Sequence, residues 1–215
     1  MVMSAGGIGV APTFASEGRL GTNPIAIAAP ANKEAPVLFD AATSAIAGNK
    51  LRLASRVGSN LLPGWISELD GSPIMVETPL REKDKFYQLP LGSTREQGSH
   101  KGYGLALMAE ILTTMLSGVL PTMLNPGGKS KHYFAAYDIA SFTDVATFKE
   151  NMDQMLRTLR ETKPAPGFDR VLYPGLSENE EERDRRANGV PLHKEVVQWF
   201  EDIASDLSIP RLKII

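Results

Sequence analysis

Cysteine is absent from the 215 residues. That excludes disulfides, thiolate nucleophiles and cysteine-type zinc sites together. Histidine is scarce: His100, His132 and His193 are the only three, and no two stand at metal-ligand spacing, so no metal site is expected. No charge sign dominates. Lys and Arg number 23 against 25 Asp and Glu, which leaves a net charge of −2 and no global attraction to nucleic acid or an anionic membrane. Long uncharged runs are broken by Pro, Gly, Asn and Ser, so no transmembrane helix or secretory signal is expected and the cytoplasm is the expected setting. A G-x-S-x-G elbow and a Walker loop are also lacking. The glycines at 7–12 make only two-thirds of a dinucleotide fingerprint, and Pro12 interrupts the helix it would open, which disfavours a Rossmann fold.

What is present is a chain able to bury a core, with 42% hydrophobic and 22% charged residues. Residues 20–30 read as a turn at Gly21-Thr22-Asn23-Pro24 followed by an alternating strand over 25–29. Residues 37–40 read as a second short strand, and 51–56 as a helix start or an irregular segment. Residues 57–99 are turn-rich connections. A helix is predicted from Lys101 to about Ser117 with Gly118 beyond it; Leu105, Met108, Ala109, Leu112 and Leu116 form its inner stripe. The aromatic alternation over 132–139 predicts a strand. Residues 144–162 predict an amphipathic helix with Val145, Phe148, Met152, Met155, Leu156 and Leu159 on one face. A short strand is predicted over 170–173. Ser177 and Glu180 have capping-box spacing at the head of a charged helix, and a last helix over 192–207 turns Val196, Trp199, Phe200 and Ile203 inward. Interleaved strands and helices place the chain in the α/β (α+β) class with a mixed sheet.

The segment with most chemical content is Gln97-Gly98-Ser99-His100-Lys101-Gly102-Tyr103-Gly104, at the head of a buried helix. Glycines let a ligand approach the backbone, helix-head amides favour an anion, and Lys101 adds charge. A tight loop with a solvated His and Lys is the plainer alternative. Asp40 stands at a strand end before small residues, where a carboxylate holds a ribose hydroxyl or caps a helix. The charge run 178–186 is either a solvated helix face or part of a site.

The segments LGTNPIAIAAP (20–30), FDAATSAIAGNK (39–50), LPGWISELDGSP (62–73), LPLG (89–92), GSHKGYGLALMAEILTTMLSG (98–118), HYFAAYDIASF (132–142) and VLYPG (171–175) occur in one order along the chain. In that order they resemble the type 2 malate/L-lactate dehydrogenases. That family also holds sulfolactate, ureidoglycolate and diketogulonate dehydrogenases and the piperideine-2-carboxylate (cyclic-imine) reductases. The resemblance implies a non-Rossmann, mixed-sheet NAD(P)-binding domain over 1–175. Residues 176–215 then belong to a smaller helical domain, and the protein is a homodimer. It implies hydride transfer between NAD or NADP and a small 2-oxo or 2-hydroxy acid, or a cyclic imine.

Carried over by position, Thr22 is substrate-binding. Asp40, Ala41, Ala42, His100, Lys101, Gly102, Gly175 and Glu181 contact the cofactor, and Lys50 and His100 are catalytic. His132 and His193 receive no role. In the family a Ser-His-Gly-x-x-x-Arg segment upstream of the LGTNP match supplies the proton-donating His and the carboxylate-binding Arg, and the 215 residues hold no such segment. Two positions depart inside the match: Asn49 stands for a glycine of A-x-G-K, and Leu176 for the acid of P-G-E. The other expectation is therefore a truncated, catalytically inactive nucleotide-binding or scaffold protein of the same fold.

Overall fold

A computed structural model describes residues 1–82, 84–125 and 127–213. It is a mixed α/β chain with a small antiparallel sheet and five α-helices. The strands are β1 (Val2–Ala5), β2 (Ile25–Ala29), β3 (Val37–Ala41), β4 (Ile66–Ser67), β5 (Tyr87–Gln88) and β6 (Lys131–Phe134). The helices are α1 (Gly48–Val57), α2 (Ser99–Thr113), α3 (Val145–Arg160), α4 (Leu176–Asn188) and α5 (Lys194–Leu207). Among the described residues no helix is long and apolar enough to cross a membrane.

By packing the chain forms two compact units, Met1–Ala29 with Leu38–Phe148, and Pro30–Val37 with Lys149–Ile215. The sequence places a division at 175/176; the compact units divide at 29/30, 37/38 and 148/149.

In the first unit the main sheet runs β3-β2-β1-β6, and β1 pairs antiparallel with both β2 and β6. β1 has no counterpart in the sequence reading, yet it is the inner strand, with Met3 and Ala5 buried. β6 ends at Phe134, short of the expected 139: Val2 pairs Phe134, and beyond it Ala135 N donates to Met1 O at 3.0 Å and Met1 N to Ala135 O at 2.9 Å. Two clusters fill this unit. Ile46, Leu51, Ala54, Leu61, Ile66 and Ile74 form one, and Val10, Leu20 and Ala106 the other.

α2 buries only part of the expected face: Ala109 of the stripe is buried and Leu112 half-buried. Gly102, Ala106, Ala109, Glu110 and Thr113 are buried, while Leu105, Met108 and Leu116 of the apolar stripe are exposed. The small side chains set this face: a Cβ on Gly102 would stand 2.4 Å from Leu91 O, so only a residue without one lets the helix come so close.

In the second unit Leu156, Tyr173 and Leu176 form the core, with Ala31, Ala35, Val37 and Met152 against it. Of the expected α3 face, Leu156 is buried and Met152 packs beside it, but Met155 and Leu159 are exposed. Asp153 is buried instead. Burial opposes its charge, but the amides of Glu34, Lys33 and Asn32 point at its carboxylate and hold the pKa below the usual value. Residues 170–173 form no strand. They are held by side chains, with Tyr173 in the core and its hydroxyl donating to Ala35 O at 3.2 Å. α4 starts two residues earlier than a Ser177 cap allows. Gly175, at φ 99°, is its N-cap and donates its amide to Glu178 Oε2, whereas Glu180 pairs with Arg170. On α5, Val196, Phe200 and Ile203 are half-buried and Trp199 is exposed.

Candidate functional site

In the first unit four sequence segments converge through backbone contacts. The Gly21-Thr22-Asn23-Pro24 turn is pressed against the end of β1: a Cβ on Gly21 would stand 1.8 Å from Gly6 O. Asn23 has φ 33°, a left-handed conformation that Asn tolerates better than most side chains. Immediately after β3, Thr43 ties its segment to this turn. Its amide donates to Thr22 O at 2.8 Å, and its hydroxyl reaches Thr22 O at 3.0 Å and Asn23 O at 3.1 Å. The Leu89-Pro90-Leu91-Gly92 segment docks next, with Leu91 N donating to Thr43 O at 2.9 Å and Ala45 N to Leu89 O at 2.8 Å. The head of α2 closes on it through Gly102 against Leu91 and through Gly92, whose Cβ would stand 2.5 Å from Gly98 C.

Thr22, Thr43 and the 89–91 segment thus belong to one hydrogen-bonded web, against which Gly102 packs. Thr22 is half-buried, and its hydroxyl has no partner among the described residues. Asp40 is exposed at the end of β3 without an ion-pair partner among them. Lys50 is exposed in the first turn of α1, and the web does not reach it. Asn49 keeps φ out of the left-handed region, so its backbone does not need the glycine it replaces.

At the head of α2 the amides of Ser99 and Lys101 are already engaged by Thr94 O and Gly98 O, each at 2.8 Å. The attraction for an anion therefore falls mainly on the Lys101 side chain. Its stem lies over Gly98, it is exposed, and it has no anionic partner among the described residues. His100 is exposed too, with Nδ1 at 3.0 Å from Arg95 Nη1. A guanidinium only donates, so Nδ1 is the acceptor and Nε2 carries the ring hydrogen. Beside this loop lies a cleft of about 250 Å³, walled by Thr13, Phe14, Pro90, Ser93, Arg95 and Ser99. Among the described residues no group of three His, Asp or Glu stands together as a metal would need.

Gly175 and Glu181 lie in the second unit, Gly175 as the cap of α4 and Glu181 paired with Arg185 one turn on. Leu176, where P-G-E has an acid, is buried in that unit's core. Sequence reasoning missed Thr43, Arg95 and the Asn23–Glu110 pair. Thr43 was visible as the one hydroxyl following Asp40-Ala41-Ala42, but Arg95 lies in a turn-rich stretch with no pattern.

A profile of the malate/L-lactate dehydrogenases matches residues 1–201. The chain belongs to this family. It is 34% identical over 210 residues to a malate dehydrogenase of Pyrococcus horikoshii, a match covering 94% of this chain and 57% of that protein. The structure of malate dehydrogenase from Entamoeba histolytica superposes with a TM-score of 0.87 at 31% identity, over 99% of this chain and 62% of that one. That of delta1-piperideine-2-carboxylate reductase from Pseudomonas syringae superposes with a TM-score of 0.69 at 26% identity, over 94% and 60%. The chain thus spans under two thirds of the length of these family members.

Proposed function

We propose that this chain carries the cofactor- and substrate-binding part of a nicotinamide-dependent dehydrogenase that interconverts a small 2-oxo acid and its 2-hydroxy acid. Its family membership and the hydrogen-bonded web of Thr22, Thr43 and the 89–91 segment, against which Gly102 packs, support this reading. A cyclic imine is the alternative substrate, because a reductase of that class shares the fold. The cofactor is NAD or NADP.

The residues present fit such a cofactor. Lys101, exposed and without an anionic partner among the described residues, offers a phosphate charge, and Gly102, packed under Leu91, seats the loop that carries it. In this reading His100, Lys101 and Gly102 hold the phosphates. Asp40, Ala41 and Ala42 hold the rest. When bound, the cofactor supplies a hydride to the substrate C2. The chain's own tasks are orientation and the proton. Thr22 has a hydroxyl free to bond the substrate, and either His100, as the imidazolium once its Nδ1 is released from Arg95, or Lys50, as the ammonium, donates the proton to the substrate oxygen. The binding fold is non-Rossmann in this proposal: glycines 6–9 run into the Val10–Leu20 bridge, and the first helix begins at Gly48. The active form is a homodimer, a proposal supported by the exposed apolar stripe Leu105, Met108, Ile111, Met115 and Leu116.

Steady-state oxidation of NADH and NADPH tests this reading, with oxaloacetate, pyruvate and a cyclic imine as acceptors. Oxidation that depends on a 2-oxo acid is expected. Oxidation supported by the imine alone would move the substrate to that class, and no binding of either cofactor would overturn the reading.

A further inference from the structure

Glu110 is the acid that the fold hides most completely. It lies three turns into α2 and is 2% exposed. Its Oε1 accepts from Asn23 Nδ2 at 3.1 Å, and its Oε2 has no partner among the described residues. A carboxyl group withdrawn from water with one oxygen unpartnered costs stability, and an aliphatic side chain of similar size would avoid that cost. Nothing in the binding reading uses it directly.

Its one partner is informative. Asn23 is 1% exposed and has left-handed backbone geometry at φ 33°. Three groups hold its side chain: Nδ2 donates to Glu110 Oε1 and to Ala106 O, each at 3.1 Å, and Oδ1 accepts from Gly6 N at 3.4 Å. The residue before it is Thr22, whose hydroxyl is unpartnered among the described residues and whose carbonyl is clamped by Thr43. The helix that carries Glu110 also begins with the His100-Lys101-Gly102 loop.

We infer that Glu110 is a positioning residue. Through Asn23 it fixes the strained turn that presents the Thr22 hydroxyl, and so couples the orientation of the substrate side to the helix that carries the cofactor loop. This rests on the proposed assignment of Thr22 to the substrate. Ala106 O, also of α2, and Gly6 N hold Asn23 as well, and Glu110 is the one side chain among its three partners. Without it one buried amide hydrogen loses its acceptor and the turn relaxes toward negative φ.

The test compares Glu110→Gln, Glu110→Leu and Thr113→Val. Thr113 is equally buried on the same helix, but its hydroxyl bonds only Ala109 O within that helix, so it serves as the structural control. Two measurements are made on the full chain: amide hydrogen exchange of the peptide spanning residues 20–26, and steady-state KM for the 2-oxo acid alongside KM for the cofactor. Glu110→Leu is expected to speed exchange at the amides of Thr22 and Asn23 at least tenfold. It should raise the oxo-acid KM about tenfold and leave the cofactor KM within about twofold, the size of one lost charged hydrogen bond. Glu110→Gln keeps an acceptor facing Asn23 and should restore both readouts most of the way. Thr113→Val should leave both unchanged even where it lowers the melting temperature. Equal exchange and KM changes in Thr113→Val and Glu110→Leu would overturn the positioning role, as would no change in Glu110→Leu. A wild-type chain without turnover would count against the dehydrogenase reading alone, and the exchange at the amides of Thr22 and Asn23 would still decide the role of Glu110.

Discussion

Replacing Gly102 by alanine tests the closest contact in the site. The added Cβ would meet Leu91 O at 2.4 Å, Leu91 N at 2.5 Å and Leu91 Cα at 2.8 Å, all of them backbone atoms that cannot rotate away. The helix and the 89–92 segment must therefore part by about 1 Å to reach ordinary contact. Overpacking of this kind costs about 1–3 kcal/mol. The better helix propensity of alanine offsets up to about 1 kcal/mol of it. A net loss of about 1–2 kcal/mol follows, or a melting temperature lower by about 2–8 °C for a chain of this size. Gly104, two residues on in the same helix, is the matched control: its Cβ would meet nothing within 4 Å. Gly104→Ala should leave stability unchanged or raise it by up to about 1 kcal/mol. Urea melts of both variants, each followed by cofactor titration, measure the difference. Gly102→Ala should also weaken NAD(P)H binding, because parting α2 from Leu91 pulls on the Leu91–Thr43 bond. If the two alanine variants melted together, the close approach of α2 to Leu91 would not be what holds the site.

Further outcomes follow from single residues. Lys101→Ala should weaken NAD(P)H binding by about 1–3 kcal/mol, the range for a charged hydrogen bond, and a fluorescence titration with unchanged affinity would remove Lys101 from the phosphate site. Thr22→Val should raise the oxo-acid KM roughly 2–12-fold without touching cofactor affinity, since it deletes about 0.5–1.5 kcal/mol of hydrogen bonding, and an unchanged KM would free Thr22 from the substrate. His100→Ala should lower turnover by roughly 10²–10⁴ if His100 is the positioned acid, and a normal rate would pass that role to Lys50. Asp153 has a lowered folded pKa, so its contribution to stability is present above the unfolded value and lost as pH falls toward the folded one. The melting temperature should drop more steeply below about pH 4 in wild type than in Asp153→Asn, and parallel curves in thermal melts would contradict this.

Local pattern carried much of the architecture. The alternation at 25–29, the Pro-bounded helix over 144–162 and the Gly-rich loop opening a helix all correspond to elements of the structure within a few residues. Turn chemistry also marked the residues of the site, since Gly21, Asn23, Gly98 and Gly102 are where the backbone comes close or turns left-handed. What stayed illegible depends on partners. β1 is four residues among glycines and reads as a strand only because β2 and β6 flank it. The inner face of α2 was legible only in part, through Ala109, because hydrophobicity marks Leu105 and Met108, whereas close approach selects Gly102 and Ala106. Asp153 and Glu110 sit on helices whose periodicity predicts apolar insides. Their burial makes sense only with the amides of 32–34 and the side chain of Asn23 in place.

Transfer of deuterium tests the central claim most directly. NADH and NADPH carrying deuterium at the nicotinamide C4 would be incubated with the chain and a 2-oxo acid, and the hydroxy acid product analysed by mass spectrometry, which registers even slow turnover. Deuterium at C2 of the product, dependent on the chain and reduced in Lys101→Ala, is the predicted result. A product without deuterium from either cofactor, or none formed at all, would contradict the account.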